Sequence, residues 1–229
     1  MKLVFTSVVA MCAFVAVTSA SPQNAPVTNG TDMYHVLFLK AAPGQAAALG
    51  KALIVPDKTN AMPDHFVVLR HQEGDDWDYV VVQHLGAKAE VVATPSAAAA
   101  AARPLIAWHN DTFVSGPAWG EFTKQMASTS ANAIYVVGVQ RAVAGHRDQL
   151  LASLSAATTS KVESGNVLLQ HVEGGDWNFM TLTRYNNWQD IGNDRGAPSS
   201  AASPGGWADI REHSAFHRDT IADRIFPVK

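Results

Sequence analysis

VVLRHQEGDDW, Val67 to Trp77, returns one hundred residues later as VLLQHVEGGDW, Val167 to Trp177. Seven of the eleven positions are identical, among them the rare His and Trp, so the chain holds two copies of one unit. The match runs outward in both directions. MYHVLFLK (Met33 to Lys40) aligns with AIYVVGVQ (Ala133 to Gln140). Trp108-His109-Asn110-Asp111-Thr112 aligns with Phe216-His217-Arg218-Asp219-Thr220, where the offset has grown to 108. The second copy therefore carries extra residues. Composition places them in the Gly/Pro/Ser/Asn-rich stretch 186–206, which reads as a surface loop. The copies span 32–125 and 132–229, with 126–131 as linker.

Each copy gives the same string of elements. Branched and aromatic runs at 34–40 and 134–140 read as strands. Ala/Leu-rich segments at 44–54 and 146–156 read as helices, with Leu150, Leu151 and Leu154 at helical spacing. Strands follow at 66–71 and 167–171. The Glu-Gly-x-Asp turn then leads into third strands at 77–84 and 177–185, a hairpin signal. Second helices are expected at 96–111 and 207–223, and short closing strands at 112–115 and 225–228.

That order, strand–helix–strand–strand–helix–strand, is the ferredoxin-like unit. Such a sheet has helices on one face and leaves the other bare, and a second unit is the natural cover. The expected fold is therefore α+β: two tandem ferredoxin-like βαββαβ repeats packed sheet to sheet as an intrachain barrel. The element order and the Trp-His-x-Asp-Thr segment resemble the dimeric α/β-barrel superfamily. That superfamily includes stress-responsive barrel domains, antibiotic-biosynthesis-type monooxygenases and haem-handling members. The resemblance covers both repeats and implies fold more than function.

The chain has 229 residues, 47% hydrophobic and 16% charged, with a net charge of −3. That is a globular composition, and the slightly acidic balance argues against a nucleic-acid partner. Lys2, the apolar run from Leu3 to Val17 and the small residues Thr18, Ser19 and Ala20 have the layout of a secretory signal peptide. Residues 21–31 read as a flexible leader. Cleavage after Ala20 removes Lys2 and the only cysteine, Cys12, leaving a charge of −4. The exported protein, periplasmic or secreted, then has no disulfide, no thiolate and no membrane span, and must rely on its core.

Strand alternation divides the third strands into two faces. One carries Trp77, Tyr79, Val81 and Gln83, and in the second copy Trp177, Phe179, Thr181 and Thr183. This aromatic and polar set suits a ligand pocket between the sheets, or else a filled inter-sheet core. The aliphatic set, Val80 and Val82 or Met180 and Leu182, suits packing under helices. Aligned positions that differ, His35 against Tyr135, Gln83 against Thr183 and His84 against Arg184, break the symmetry of the copies, and His35, Tyr135 and Arg184 join the pocket candidates.

The catalytic candidates are histidines. His71 and His171 sit in the repeated motif, where they read as acid/base or ligand groups assisted by Glu73 and Glu173, while the structural reading gives Gly74 and Gly174 a positive φ and has Asp76 and Asp176 accept turn N–H bonds. His109 and His217 precede an Asp by two places. Each is expected near a helix end, where a nearby carboxylate would orient it. His213 and His217, four apart, would share one helical face as a metal pair, but no third ligand is evident. No metal is therefore assigned, and the sequence names no cofactor. The leading expectation is an exported protein that binds a small apolar or aromatic molecule in an inter-sheet pocket. The alternatives are a cofactor-free or haem-dependent monooxygenase using a barrel histidine, and a structural module with a filled core. Further pairing of chains is left open.

Overall fold

The computed structural model of the chain describes residues 30–95, 101–156, 160–196 and 204–227. The expected signal peptide (1–20) and most of the leader (21–31) lie outside the described residues. Among the described residues the architecture is mixed α+β, with one large antiparallel sheet of nine strands and five α-helices. In chain order these are β1 (Asp32–Ala41), α1 (Ala46–Leu53), β2 (Phe66–Glu73), β3 (Tyr79–Ala87), β4 (Glu90–Val91), β5 (Ile106–Gly116) and α2 (Trp119–Met126). They continue with β6 (Ile134–Ala142), α3 (Arg147–Ser155), β7 (Glu163–Glu173), β8 (Phe179–Tyr185), α4 (Trp188–Arg195), α5 (Trp207–His213) and β9 (Ser214–Phe226).

The strand order is β1-β5-β7-β8-β6-β9-β2-β3-β4, and β1 also pairs with β3, so the sheet closes on itself in a barrel-like arrangement. The order within the first copy is β5-β1-β3-β2, and within the second β9-β6-β8-β7. The copies meet at two seams, β5 with β7 and β2 with β9. Closure leaves no unpaired edge among these eight strands, the condition that a lone four-stranded sheet cannot meet.

The repeated turn secures those seams. Gly74 and Gly174 have φ of +127° and +115°, which disfavours any L side chain. A Cβ at Gly74 would come within 2.7 Å of the Asp219 carbonyl oxygen, and one at Gly174 within 2.5 Å of that of Asp111. The next N–H groups, of Asp75 and Gly175, donate to Thr220 Oγ1 and Thr112 Oγ1, each at 3.3 Å. Each copy's turn thus rests on the last strand of the other copy.

Side chains of both copies fill the space inside the ring. Tyr34, Val36, Phe38, Val67, Leu69, Trp77, Val80 and Val82 meet Tyr135, Val137, Leu169, Trp177, Met180 and Leu182 in one core. On the outer face of the first copy, α1 buries Leu49 and Leu53 against Leu37, Leu39, Phe66, Val68 and Tyr79. The second copy divides its outer packing into two smaller groups, one around Val136, Tyr185 and Ile191 and one around Leu150, Leu168 and Phe179.

α2 connects the copies and inserts Phe122 and Met126 into the inter-sheet core. Its ends are matched to its dipole. Asp32 accepts the Trp119 N–H at 3.0 Å at the N-terminus. Arg184 Nε donates to the Gln125 carbonyl and Arg224 Nη1 to the Met126 carbonyl, both at 2.9 Å, at the C-terminus.

The second helices are shorter than expected. In the first copy a 3₁₀ turn at Arg103–Leu105 gives way to β5 at Ile106, and residues 96–100 lie outside the described residues. In the second, α5 ends at His213 and β9 begins at Ser214. Branched and aromatic residues gain more on a long strand crossing the barrel than on an extended helix. Part of the stretch expected as loop, 186–206, folds as α4, whose N-cap Asn187 side chain accepts the Asp190 N–H at 3.0 Å.

Candidate functional site

Among the described residues a cleft of ligand size opens at the end of the barrel where the two repeated turns meet. Its volume is about 530 Å³, within the range of small-molecule sites. Phe38, Trp77, Trp108, Trp177 and Phe216 supply aromatic walls, and Asp75, Asp76, Asp176, Asn110 and Arg218 supply polar groups. Trp77 and Trp177 are nearly buried, whereas Trp108 is 48% exposed. The rim carboxylates have cations beside them: Arg218 reaches Asp75 at 2.7 Å, Arg141 reaches Asp176 at 3.2 Å and Lys40 reaches Asp76 at 3.5 Å. The cleft is therefore an apolar floor ringed by neutralised pairs, suited to a flat, weakly charged molecule.

Of the expected pocket residues, Trp77 and Trp177 do face the space between the sheets. The rest of that face is inverted. Tyr79 and Phe179 point outward under the helices, Tyr79 donating its hydroxyl proton to the Ala46 carbonyl at 2.8 Å. Val80, Val82, Met180 and Leu182 are the inward set. Alternation breaks at residue 78, before the strand proper. The Asp78 carboxylate accepts the Ala41 N–H at 2.7 Å, and Asn178 Oδ1 does the same for Ala142 at 2.8 Å. A count begun at the Trp is therefore out of phase by Tyr79.

Gln83, Thr181 and Thr183 share the outer face. Gln83 Nε2 donates to the Thr94 carbonyl at 3.0 Å, and Asn166 Nδ2 to Thr183 Oγ1 at 3.4 Å. His35 and Tyr135 are not counterparts. Tyr34 pairs with His84 and Tyr135 with Arg184, so the first strands align at an offset of 101 and Tyr34 is the partner of Tyr135. Both tyrosines face inward, while His35 faces outward. Arg184 caps α2 and also donates to the Ser164 carbonyl, which makes it a structural residue.

His109 and His217 lie within β5 and β9, not at helix ends, and both face outward. His217 Nε2 is 2.8 Å from Asp219 Oδ1, and Arg195 Nη2 is 2.7 Å from Asp219 Oδ2. Burial alone would raise the Asp219 carboxyl. The His217 hydrogen bond and the His217 and Arg195 charges outweigh it and hold the group below the usual carboxylate range. A Cβ on Gly138 would come within 2.9 Å of that carboxylate and 2.6 Å of Thr181 Oγ1, so only glycine fits beneath it. In the first copy Asp111 is shared by His35 at 2.8 Å and His109 at 3.3 Å, with Leu37 near the position of Gly138. Burial lowers the His35 pKa despite Asp111.

His71 and His171 pack edge-on against Trp77 and Trp177 at 5.6 and 5.4 Å. Their Nε2 atoms are buried with no hydrogen-bond partner among the described residues. Neither lines the cleft. His213 and His217 do not share a helical face. His213 Nδ1 instead meets His146 Nδ1 at 3.0 Å. Among the described residues no group of three or more His, Cys, Asp or Glu stands close enough to hold a metal ion, and no helix is long and apolar enough to cross a membrane.

Sequence reading passed over Arg195, the second partner of Asp219, and over Asp32, His65 and Trp119 altogether. The β2–β3 register was the available signal for the last group. Phe66 faces Gln83, which places His65 beside His84.

No known protein-family profile and no curated protein matches the chain. Solved structures do. A candidate monooxygenase from Lactobacillus acidophilus superposes with a TM-score of 0.55 at 8% identity, over 85% of this chain and 94% of that one. A candidate monooxygenase from Fusobacterium nucleatum gives 0.56 at 10% identity, over 86% and 93%. An anthrone oxidase-like protein gives 0.54 at 10% identity, over 86% and 92%. At such identity the likeness concerns the fold alone, a barrel-like α+β architecture.

Proposed function

We propose that the protein is an exported α/β barrel of two tandem ferredoxin-like repeats that binds a planar, apolar or aromatic small molecule in the cleft between its repeated turns. The cleft carries the reading: about 530 Å³, with a floor of two buried indoles, one from each copy. The matching strand orders of the copies support the repeat. Lys2, the apolar run and Thr18-Ser19-Ala20 support export. Trp108 is the residue to vary, because its exposure separates binding from folding. Titration of flat aromatic ligands against tryptophan fluorescence gives saturable binding, weakened about tenfold by Trp108→Ala. Equal affinity in wild type and variant removes the ligand from this cleft. An intact mass of the exported protein that still includes Met1 removes the signal peptide.

A second reading, a cofactor-free oxygenase-like enzyme, is supported by the fold of the neighbours and by His217. With Asp219 holding its Nε2–H, His217 keeps Nδ1 free as a base that could ionise a substrate. His217→Gln abolishes turnover on this reading and leaves cleft binding unchanged. Haem does not fit the cleft: no His, Cys, Met or Tyr lines it, so iron there lacks an axial ligand.

A further inference from the structure

At the end of β1 remote from the cleft, three side chains form a chain of hydrogen bonds that neither reading above uses. Asp32 and His84 are buried, and His65 is half-buried just before β2. His84 Nε2 lies 2.8 Å from Asp32 Oδ2, which also accepts the Trp119 N–H. His84 Nδ1 lies 3.1 Å from His65 Nδ1. The imidazole centroids are 5.4 Å apart, so the two Nδ1 atoms lie between the rings and face each other. That is the geometry of one N–H···N bond rather than of two ligands angled toward a metal.

A carboxylate only accepts, so His84 presents Nε2–H to Asp32 and its Nδ1 is bare. His65 must then donate its Nδ1–H to His84, which leaves His65 Nε2 with a lone pair. That atom has no partner among the described residues and is not one of the buried unpartnered atoms. The Trp119 indole stacks on both imidazoles, at 5.0 and 5.3 Å, and their planes are inclined by 25° to each other. A nucleophile within hydrogen-bond reach of a base, itself oriented by a third group, is the signature of an activated nucleophile.

We propose that Asp32, His84 and His65 form a nucleophilic triad in which His65 Nε2 accepts an acyl group from an activated ester, such as an aryl ester. The Nε2 lone pair attacks the acyl carbon and the aryl oxide leaves with the electron pair of the C–O bond. The acylated ring passes its Nδ1 proton along the N–H···N line to His84, whose new positive charge faces Asp32. Water then attacks the acyl carbon and gives one proton to solvent, the C–N bond breaks with its pair returning to Nε2, and His84 gives the Nδ1 proton back. The carboxylic acid leaves and ionises to solvent. His65 is the reacting residue, and His84 and Asp32 position and relieve it.

The test is p-nitrophenyl acetate with the full chain, following p-nitrophenolate release and locating acetyl adducts by peptide mass spectrometry. His109, 58% exposed, is the internal control. The triad predicts that His65 acetylates at least about tenfold faster than His109. In His84→Gln that rate drops about a hundredfold, and in Asp32→Asn about tenfold, with circular dichroism unchanged. Acetylation of His65 no faster than His109, or a rate indifferent to His84→Gln, overturns the proposal. The wild-type comparison of the two histidines decides the matter even if a variant does not fold.

Discussion

At the residue scale, the repeated motif is a packing and turn device whose parts have separate costs. Trp77 and Trp177 are nearly buried in the inter-sheet core, so Trp177→Ala costs about 3–5 kcal/mol in a denaturant titration. Gly74→Ala places a methyl group against the backbone of β9 at a positive φ, and a loss of about 1–3 kcal/mol is expected. A loss below half a kcal/mol would mean that the turn does not hold the seam. The buried histidines add a pH dependence. Burial lowers the pKa of His35, His84 and His171 below the ordinary histidine value. As pH falls through the ordinary value near 6.5, the unfolded chain takes up protons that the folded chain refuses. Stability therefore drops on going from pH 7.5 to 5.5 and levels off below the folded values. Urea midpoints at the two pH values check the sign, and a higher midpoint at pH 5.5 contradicts it.

At the element scale, α2 is the piece with the clearest electrostatic logic. It has eight residues, too few to hold itself together as an isolated helix in water. It is stabilised by burial of Phe122 and Met126, by Asp32 at its N-terminus and by two arginines on its last carbonyls. Arg184→Met removes charged donors from the Gln125 and Ser164 carbonyls, and a cost of about 1.5–3 kcal/mol is expected. Faster amide exchange confined to 119–126 would identify the element affected. The same element shows what the sequence conceals. WGEFTKQM has Phe122 and Met126 at helical spacing, but nothing in it says that residues over fifty positions away will cap it. The shortened second helices teach the converse. The alanine run favours helix locally, yet the residues after it join a strand because the other copy offers a seam to complete.

At the scale of the whole molecule, the two copies depend on each other. Their shared core and two seams leave a lone copy with an apolar sheet face and two unpaired edges, β2 and β5 in the first. Residues 30–126 expressed alone are expected to dimerise or aggregate in sedimentation, and a stable monomer would count against the closed ring. The copies have also diverged in an ordered way. The first packs a continuous apolar outer face around Leu37 and Leu39. The second breaks that face at Gly138 and sets Asp219, His217 and Arg195 there.

The α+β class, the hairpin, the turn glycines and the buried tryptophans were all legible in the sequence. Each rests on local chemistry: side-chain period, turn conformation and the bulk of an indole. What faces what was not legible. Asp78 and Asn178 break the alternation by bonding a backbone N–H some 36 residues away, and this sends Tyr79 and Phe179 outward. The one-residue offset between β1 and β6 is visible only once their partners are paired. Asp219 with Arg195, and Asp32 with His84 and His65, are groups drawn from distant parts of the chain. Local pattern determines which residues can bury or turn, whereas ring closure alone decides which of them meet, because contacts across a barrel have no counterpart in sequence spacing.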